Sequence, residues 1–173
     1  MSVMRKSLEH LLDSNKLEED AIYLGVLTAM GVKPLSRLEY AVAPDVLSLL
    51  QDLRLRVVSV RRVAQDGSEV IHWILGRDSG LIDQYKSDFD GTPIREGIPA
   101  VIRAEARYFG FPACCAEAYI RDPLALSTLT PEEQGLLFHR ACPGCKETPK
   151  LIPLYRSALR EAKRLHKELR LLP

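Results

Sequence analysis

The sequence predicts a mainly helical α+β protein. Two segments of the N-terminal half, 57–63 and 69–75, are rich in Val, Ile and Trp, and Gln65-Asp-Gly-Ser68 lies between them. Asp-Gly is a strong signal for the tight turn of a β-hairpin. Most of the remaining chain carries apolar residues at helical spacing or signals for helix ends. We therefore expect a small hairpin-containing sheet in the N-terminal half and a helical, cysteine-rich C-terminal half.

The N-terminal half is predicted to surround the hairpin with helices. Helical spacing and end signals predict four elements there: 4–12, 17–30, 45–53 and a short helix or turn over 80–90. Residues 38–42 are a candidate third strand. His72 falls in the alternating pattern of the second hairpin strand, and we interpret it as an ordinary surface histidine of the hairpin rather than a site residue.

The C-terminal half is predicted to be helical throughout. Its predicted helices cover 98–108, 112–122, 130–140 and 151–171. Thr130 followed by a proline and an acid at the third helical position is a strong helix start. Pro93 and Pro99 break the chain, with glycines nearby. We therefore divide the chain into an α/β half, 1–95, and a helical half, 96–173, with one integrated domain as the alternative.

The four cysteines form the most informative pattern in the chain. Cys114, Cys115, Cys142 and Cys145 lie within 32 residues, and the first 113 residues contain no cysteine. The knuckle Cys142-Pro-Gly-Cys145 lets two sulfurs converge on one ion, and Pro-Gly forms such a turn readily. His139 stands one helical turn before Cys142 and shares a helix face with it. These five residues predict one metal site.

The residues leave the ligand set open. Zinc could take three sulfurs and His139, or four thiolates could hold zinc or an iron–sulfur cluster; we expect zinc. Adjacent residues of a regular helix diverge, so Cys114 and Cys115 reach one ion together only if the backbone there is irregular. Pro112 near a helix start places the pair where the helix dipole favours thiolates. That placement supports ligation and also a redox dithiol.

Two segments carry a resemblance to a known family. Gly110-Phe-Pro-Ala-Cys-Cys115, after Glu105, and the later run His139-Arg-Ala-Cys142-Pro-Gly-Cys145 resemble an uncharacterised archaeal family, the domain of unknown function 483. The resemblance covers the C-terminal half and implies no activity. It implies that Glu105, both adjacent cysteines and His139 belong to one site.

Two functions of different classes follow from this site. The first is a metal-binding protein with no assigned reaction. The second is a thiol- or metal-dependent enzyme in which Cys114 and Cys115 work with Glu105 or Glu117 as the acid/base. A structural zinc would favour the first function, and an open coordination position would favour the second.

Two short motifs match catalytic patterns by chance. Asp88-Phe-Asp-Gly-Thr92 matches the nucleophile motif of haloacid-dehalogenase-like phosphatases, but the polar segment before it cannot be the hydrophobic parallel strand that this motif follows. His166-Lys-Glu168 matches half of a zinc-deaminase signature. It lies after the C-x-x-C knuckle instead of before it. We interpret both matches as accidental.

Charge and hydropathy give weaker indications of partners and location. The formal net charge is +1, but residues 150–173 contain seven Lys or Arg and two acids. This basic last helix is a candidate nucleic-acid surface, and its apolar heptad spacing is a candidate homodimer seam. No stretch predicts a membrane span or signal peptide, so we expect a cytoplasmic protein. A single asparagine, Asn15, hints at a thermophilic source.

Overall fold

The computed structural model describes residues 2–95 and 97–171, with side chains from residue 15 onward. It confirms a mainly helical α+β fold with one small sheet in the N-terminal half. The elements are α1 (Ser2–Ala29), β1 (Leu35–Leu38), α2 (Pro44–Asp52), β2 (Arg56–Val63), β3 (Glu69–Gly76), α3 (Ser79–Phe89), β4 (Thr92–Pro93), α4 (Pro99–Phe109), α5 (Ala113–Arg121), α6 (Pro131–Gln134) and α7 (Thr148–Leu169). None of the helices described is both long and apolar enough to cross a membrane.

The sheet has the strand order β1-β3-β2-β4. Strands β2 and β3 form the predicted antiparallel hairpin, and Gly67 takes the positive φ that its turn requires. The predicted third strand is misplaced, because β1 ends at Leu38, where that prediction began. Tyr40, Val42 and Ala43 follow as a loop whose side chains pack against the core. Their apolar character therefore reflects burial and not strand pairing.

The two faces of the sheet support two separate cores. On one face, Leu38 and Leu75 pack with α1, α2 and α7, including Tyr155 of α7. On the other face, Leu35, Val60 and Ile74 pack with an aromatic group from α3 and α4: Tyr85, Phe89, Tyr108 and Phe109. Alternate strand residues point to opposite faces, so β1, β2 and β3 each contribute to both cores. Both cores combine residues from before and after position 95.

Three of the predicted helices are wrong in length. The predicted helices 4–12 and 17–30 form the single helix α1, because the intervening Asp13-Ser-Asn-Lys16 contains no Pro or Gly to end it. The helix predicted from Thr130 to about 140 has the expected capping box but ends at Gln134. The side chain of Gln134, the last residue of this helix, instead makes hydrogen bonds to the loop that follows. Its Nε2 donates to the His139 carbonyl at 2.8 Å, and its Oε1 accepts from the Ala141 N–H at 3.1 Å.

Gly110 joins α4 to the cysteine-bearing segment under a steric constraint. Its φ is +70°, and a Cβ built there would lie 2.6 Å from Cδ of Pro34. Gly91 has a φ of +71°, but a Cβ there would meet nothing within 4 Å. The two glycines therefore share the backbone requirement, and only Gly110 adds a close approach to the N-terminal half.

We expect Gly110→Ala to destabilise the protein more than Gly91→Ala. Both substitutions place a side chain at positive φ, which costs about 1–2 kcal/mol. Gly110→Ala adds a clash with a rigid proline ring, worth roughly 1–3 kcal/mol. Thermal unfolding should show the difference, at about 2–4 °C for each kcal/mol in a chain of this size. Equal melting temperatures would contradict the close approach at Pro34.

Candidate metal centre

The first cysteine pair lies in the first turn of α5. Gly110 ends α4 in the left-handed conformation, and Pro112 stands immediately before α5. The Pro112 carbonyl accepts from the Cys115 N–H at 2.9 Å and from the Ala116 N–H at 3.1 Å, and the second of these is a regular α-helical bond. Both sulfurs of the pair reach the same cluster from within this helix, so the expectation that the backbone there must be irregular is wrong.

The second cysteine pair lies on a tight turn between α6 and α7. Cys145 N–H donates to the Cys142 carbonyl at 3.1 Å, which closes the turn around Pro143 and Gly144. Gly144 has a φ of +69°, the conformation that a type II turn with proline at its first central position requires. Cys142 and Cys145 are both buried. The knuckle predicted from the spacing is therefore formed.

The four sulfurs form one compact group. All of their Sγ atoms lie within 4.8 Å of one another. Cys145 Sγ is 3.6 Å from Cys114 Sγ and 3.5 Å from Cys115 Sγ. A zinc–sulfur bond is about 2.3 Å, so sulfurs at the corners of a tetrahedron around zinc are about 3.8 Å apart. These separations suit one ion and exceed the roughly 2.05 Å of a disulfide; all four thiols are free.

Thr148, the first residue of α7, is the polar centre behind the sulfurs. It is fully buried. Its N–H donates to Cys145 Sγ at 3.3 Å, and its hydroxyl oxygen lies 3.3 Å from the same sulfur and 3.5 Å from Cys115 Sγ. The Cys142 N–H donates to Cys115 Sγ at 3.4 Å. Such N–H donors stabilise thiolates and orient them toward a metal.

These contacts shift the pKa values of Cys145 and Cys142 in opposite directions. Burial alone would raise the pKa of Cys145, but its hydrogen bonds with the hydroxyl and the N–H of Thr148 lower that pKa below the usual range. Burial raises the pKa of Cys142, and the bonds it makes to Cys114 and Cys115 raise it further. Without a metal the group therefore favours one thiolate, on Cys145, solvated by its neighbours. A cation would supply the charge needed to ionise the others.

His139 lies beside the sulfur group and not within it. Its Nε2 is 3.1 Å from the Thr148 hydroxyl, and its ring stacks on Phe111 with 5.0 Å between centroids. The group of ligand atoms within 4.8 Å of one another consists of the four sulfurs alone. Burial, and then the charge of Lys33, lower the pKa of His139 to about 4, so the imidazole is neutral at pH 7. It contacts the site through Thr148.

The two candidate acids lie in different environments. Glu117 forms a two-pronged ion pair with Arg103 on the exposed surface, at 2.6 and 2.9 Å. Glu105 is partly buried, accepts from Arg37 at 2.6 Å and lines a cavity of about 600 Å³ together with Cys115 and His139. Of these two acids, only Glu105 therefore lines a cavity together with a cysteine.

His72 is buried, so its assignment as a surface histidine is wrong. It lies opposite Val60 in the β2–β3 register, on the sheet face that also carries Ile74. That face is covered by α3 and α4, and His72 is 5% exposed. Burial and then the positive charge of Arg37 lower its pKa to about 4. An alternating pattern does not reveal which face of a strand becomes covered.

Four polar residues near the cavities were not identified from the sequence: Lys33, Arg37, Arg62 and Thr148. Lys33 and Arg62 are each 2% exposed. One signal was present for Arg62, because it follows Val58 and Val60 on the inward face of β2. A basic residue in that alternation marks a polar position within a core face. Lys33 lies in the loop between α1 and β1, Arg37 lies in the short strand β1, and Thr148 begins α7. None of the three was marked by a pattern in the sequence.

The other sequence motifs lie apart from the cysteines. Asp88 is in α3 and accepts from the Tyr108 hydroxyl, so no parallel strand leads into the phosphatase-like motif. His166 is in α7, 3.4 Å from Glu18. The heptad residues Tyr155, Ala158 and Ala162 of α7 pack within the chain's own core. Four basic residues of α7 and its C-cap pair with carboxylates: Lys150, Arg156, Arg164 and Arg170.

The fold and site define a mainly helical α+β protein with a four-cysteine cluster that could hold a metal ion. Comparison with known protein families, curated proteins and solved structures finds no match for this chain. The site's chemistry must therefore be argued from its own residues.

We expect His72 to make stability depend on pH. Its folded pKa is about 4, whereas an unfolded histidine titrates near 6.5. Between these values the unfolded chain binds a proton that the folded chain excludes, so stability is full above pH 6.5 and falls as the pH drops toward 4. One proton changes the folding equilibrium by up to about tenfold per pH unit.

Urea unfolding of wild type and His72→Gln at pH 7.5 and 5.5 measures this contribution. The wild type should lose more stability on acidification than the variant, since the cysteine cluster and His139 are common to both. Equal losses in the two proteins would show that His72 is protonated with little penalty in the folded state.

Proposed function

We propose that this is a zinc-binding protein in which Cys114, Cys115, Cys142 and Cys145 supply all four ligands. The observation that carries the proposal is the mutual approach of four sulfurs within 4.8 Å. Four thiolates around zinc form a closed tetrahedral site, which is the arrangement of structural zinc. The metal would join the start of α5 to the turn before α7.

The sulfur spacing supports one ion over an iron–sulfur cluster. In a cluster the thiolates bind different irons, so they lie farther apart than four thiolates around a single ion. The 3.5 and 3.6 Å separations at Cys145 are close to the edge of a zinc–thiolate tetrahedron. Cysteine thiolates are ligands that zinc prefers, and the N–H and hydroxyl donors at Cys145 and Cys115 suit anionic sulfur.

The location of the site supports a structural role. Between α5 and α7 the only regular element among the described residues is the four-residue α6. The cluster of Cys115, Cys142 and Cys145 is a small apolar group of its own, separate from both main cores. Such a region has few buried contacts to hold it, so metal binding energy would act there as folding energy.

A catalytic role is the second candidate, and one observation favours it. Cys115 and Glu105 line the same cavity of about 600 Å³. An enzyme would use a thiol left free, or a ligand exchanged for substrate, with Glu105 as the acid/base. Glu117 is the weaker choice because Arg103 holds it on the surface. The number of thiols that stay reactive in the zinc-saturated protein distinguishes the two functions.

We expect protein purified under reducing, anaerobic conditions to carry one zinc per chain. Cys145→Ser should lose the zinc and melt several degrees lower, because the knuckle has little other anchorage. Cys114→Ser should cost less, since Cys114 is exposed and Cys145 is buried. His139→Gln is the matched control: it changes the nearest non-sulfur ligand type and should keep the zinc.

Elemental analysis, an absorption spectrum and iodoacetamide labelling decide these points together. Zinc near one equivalent, no visible colour and no labelled thiol support the four-thiolate site. Absence of both zinc and iron would refute it, and loss of metal in His139→Gln would restore the imidazole as a ligand. A thiol that labels rapidly at full zinc occupancy would favour the catalytic alternative.

We expect Thr148→Val to weaken zinc binding without removing a ligand. Valine keeps the shape of threonine but loses the hydroxyl that contacts Cys145, Cys115 and His139. Loss of a group that supports metal ligands typically lowers metal affinity by about 10–100-fold. Competition with a chromophoric chelator measures this. The exposed Thr128→Val is the control, and equal affinities in the two variants would contradict a supporting role for Thr148.

A further inference from the structure

A second cavity lies over the polar end of the sheet. Arg37 of β1, His72 of β3 and Arg62 of β2 occupy adjacent strands and point to the same face, as the register requires. Nearer the other end of this face the corresponding positions are Leu35, Ile74 and Val60. The face therefore changes from apolar to basic along the strands. A cavity of about 380 Å³, hereafter the basic pocket, is lined by these three polar residues and by Glu105 of α4.

Two of the residues that line the basic pocket carry a buried polar atom without a hydrogen-bond partner among the described residues. Arg62 is 2% exposed, and its Nη1 atom makes no hydrogen bond; the nearest carboxylate oxygen, Oε1 of Glu105, is 3.8 Å away. Nδ1 of buried His72 also has no partner. An unsatisfied buried polar group costs about 1–3 kcal/mol, and more when charged, so an enclosed guanidinium N–H calls for an acceptor.

The remaining donors of Arg62 explain its position and leave Nη1 free. Nε and Nη2 donate to the carbonyls of Thr92 and Pro93, at 3.3 and 3.2 Å, which secures β4 beside β2. Its guanidinium carbon lies 4.9 Å from the Phe89 ring centroid. The guanidinium is therefore fixed by these contacts, and Nη1 is left without a hydrogen-bond partner. Such fixed donors lose little entropy when they bind a ligand.

The charges around the basic pocket favour an anion. Its described lining contains three guanidinium groups, Arg37, Arg62 and Arg95, against the carboxylates of Glu39 and Glu105, which leaves one positive charge in excess. Arg37 is bound to both carboxylates, at 2.6 Å and 2.9 Å, so these acids are already neutralised on one side. The excess positive charge of the pocket therefore lies near Arg62 and Arg95.

We propose that the basic pocket binds the anionic group of a small molecule, a carboxylate or a phosphate, with Arg62, Arg37 and His72 as its donors. Guanidinium groups match both anions geometrically. A ligand oxygen near Arg62 Nη1 would complete the hydrogen bonds that Glu105 is too distant to make. His72 would donate from Nδ1 as a neutral imidazole, with Nδ1 carrying the proton.

The apolar part of the ligand would lie in the adjoining cavity. The larger cavity of about 600 Å³ shares Ile102, Glu105 and Tyr119 with the basic pocket. Its lining is mostly apolar and includes Phe111 and Cys115. Ligand sites commonly combine an apolar cavity with a few convergent polar groups. We therefore infer an organic anion whose body extends toward the cysteine cluster.

Calorimetric titration of the zinc-loaded protein with four probes tests this inference. Phenyl phosphate and benzoate share an aromatic body and differ in the anionic group, inorganic phosphate lacks the body, and benzamide lacks the charge. We expect at least one aromatic anion to bind more tightly than inorganic phosphate, and benzamide to bind least. The ratio of phenyl phosphate to benzoate affinity identifies the preferred anionic group.

Variants assign the binding to the basic pocket. Arg62→Lys keeps the charge but removes the Nη1 donor, and Arg37→Gln removes a charge at the rim of the basic pocket. Each substitution should lower the affinity for the anionic probe by about tenfold or more, as expected for the loss of one charged hydrogen bond. Arg61→Gln is the matched control, because Arg61 is exposed, points to the opposite face of the sheet from Arg62 and pairs with Asp90. Arg37→Gln and His72→Gln report on the pocket even if Arg62→Lys fails to fold.

Failure to bind any anionic probe would overturn the inference and would mean that water alone satisfies Arg62 and His72. Equal losses in Arg37→Gln and Arg61→Gln would also overturn it, since they would indicate diffuse attraction to a basic surface. The basic pocket contains no cysteine among its described lining residues. Anion binding therefore tests this inference separately from the zinc content of the same samples.

Discussion

The placement of the cysteine-bearing segments depends on one buried amine. Lys33 follows α1 and is 2% exposed. Its Nζ donates to the Phe109 carbonyl at 2.8 Å and lies 4.4 Å from the Phe111 ring centroid and 5.8 Å from that of Phe138. Phe111 precedes the first cysteine pair and Phe138 precedes the second. Burial, and then the charge of Arg37, lower the pKa of Lys33 to about 7, so the carbonyl and aromatic faces must offset a large desolvation cost.

The pleat of the sheet imposes the second constraint. Successive residues of β2 and β3 point to opposite faces, so a single polar residue in an inward position cannot avoid burial without shifting the whole strand. Arg62 is held inward in this way and His72 accompanies it one strand over. The polar residues at this end of the sheet are therefore buried, and Glu105 of α4 lies over them. The basic pocket follows from strand register, whereas the cysteine cluster follows from loop geometry.

Local signals in the sequence were sufficient where the chain's own neighbours decide the structure. The Asp-Gly turn, the Thr130 capping box and the Cys142–Cys145 knuckle each depend on a few adjacent residues, and each is formed as predicted. Contacts distant in sequence decide the remainder. The short α6 depends on the bonds of Gln134 to the following loop, and the burial of His72 depends on α4, more than 25 residues later. The spacing of four cysteines revealed a site, but the exclusion of His139 from the sulfur group depends on Thr148.

The proposed zinc would also shape the cavity without offering a coordination position. The larger cavity has two walls that end in cysteines, because α5 contributes Cys115 and Ala116 and the segment before the knuckle contributes Leu137 to Arg140. A tetrahedral ion joining Cys115 to Cys142 and Cys145 would fix the distance between these walls. His139 would then be positioned from both sides, by Thr148 behind the sulfurs and by Phe111 above Lys33. A structural metal and a ligand cavity are therefore compatible roles for this half of the protein, since the proposed zinc would restrict the mobility of the residues that line the cavity.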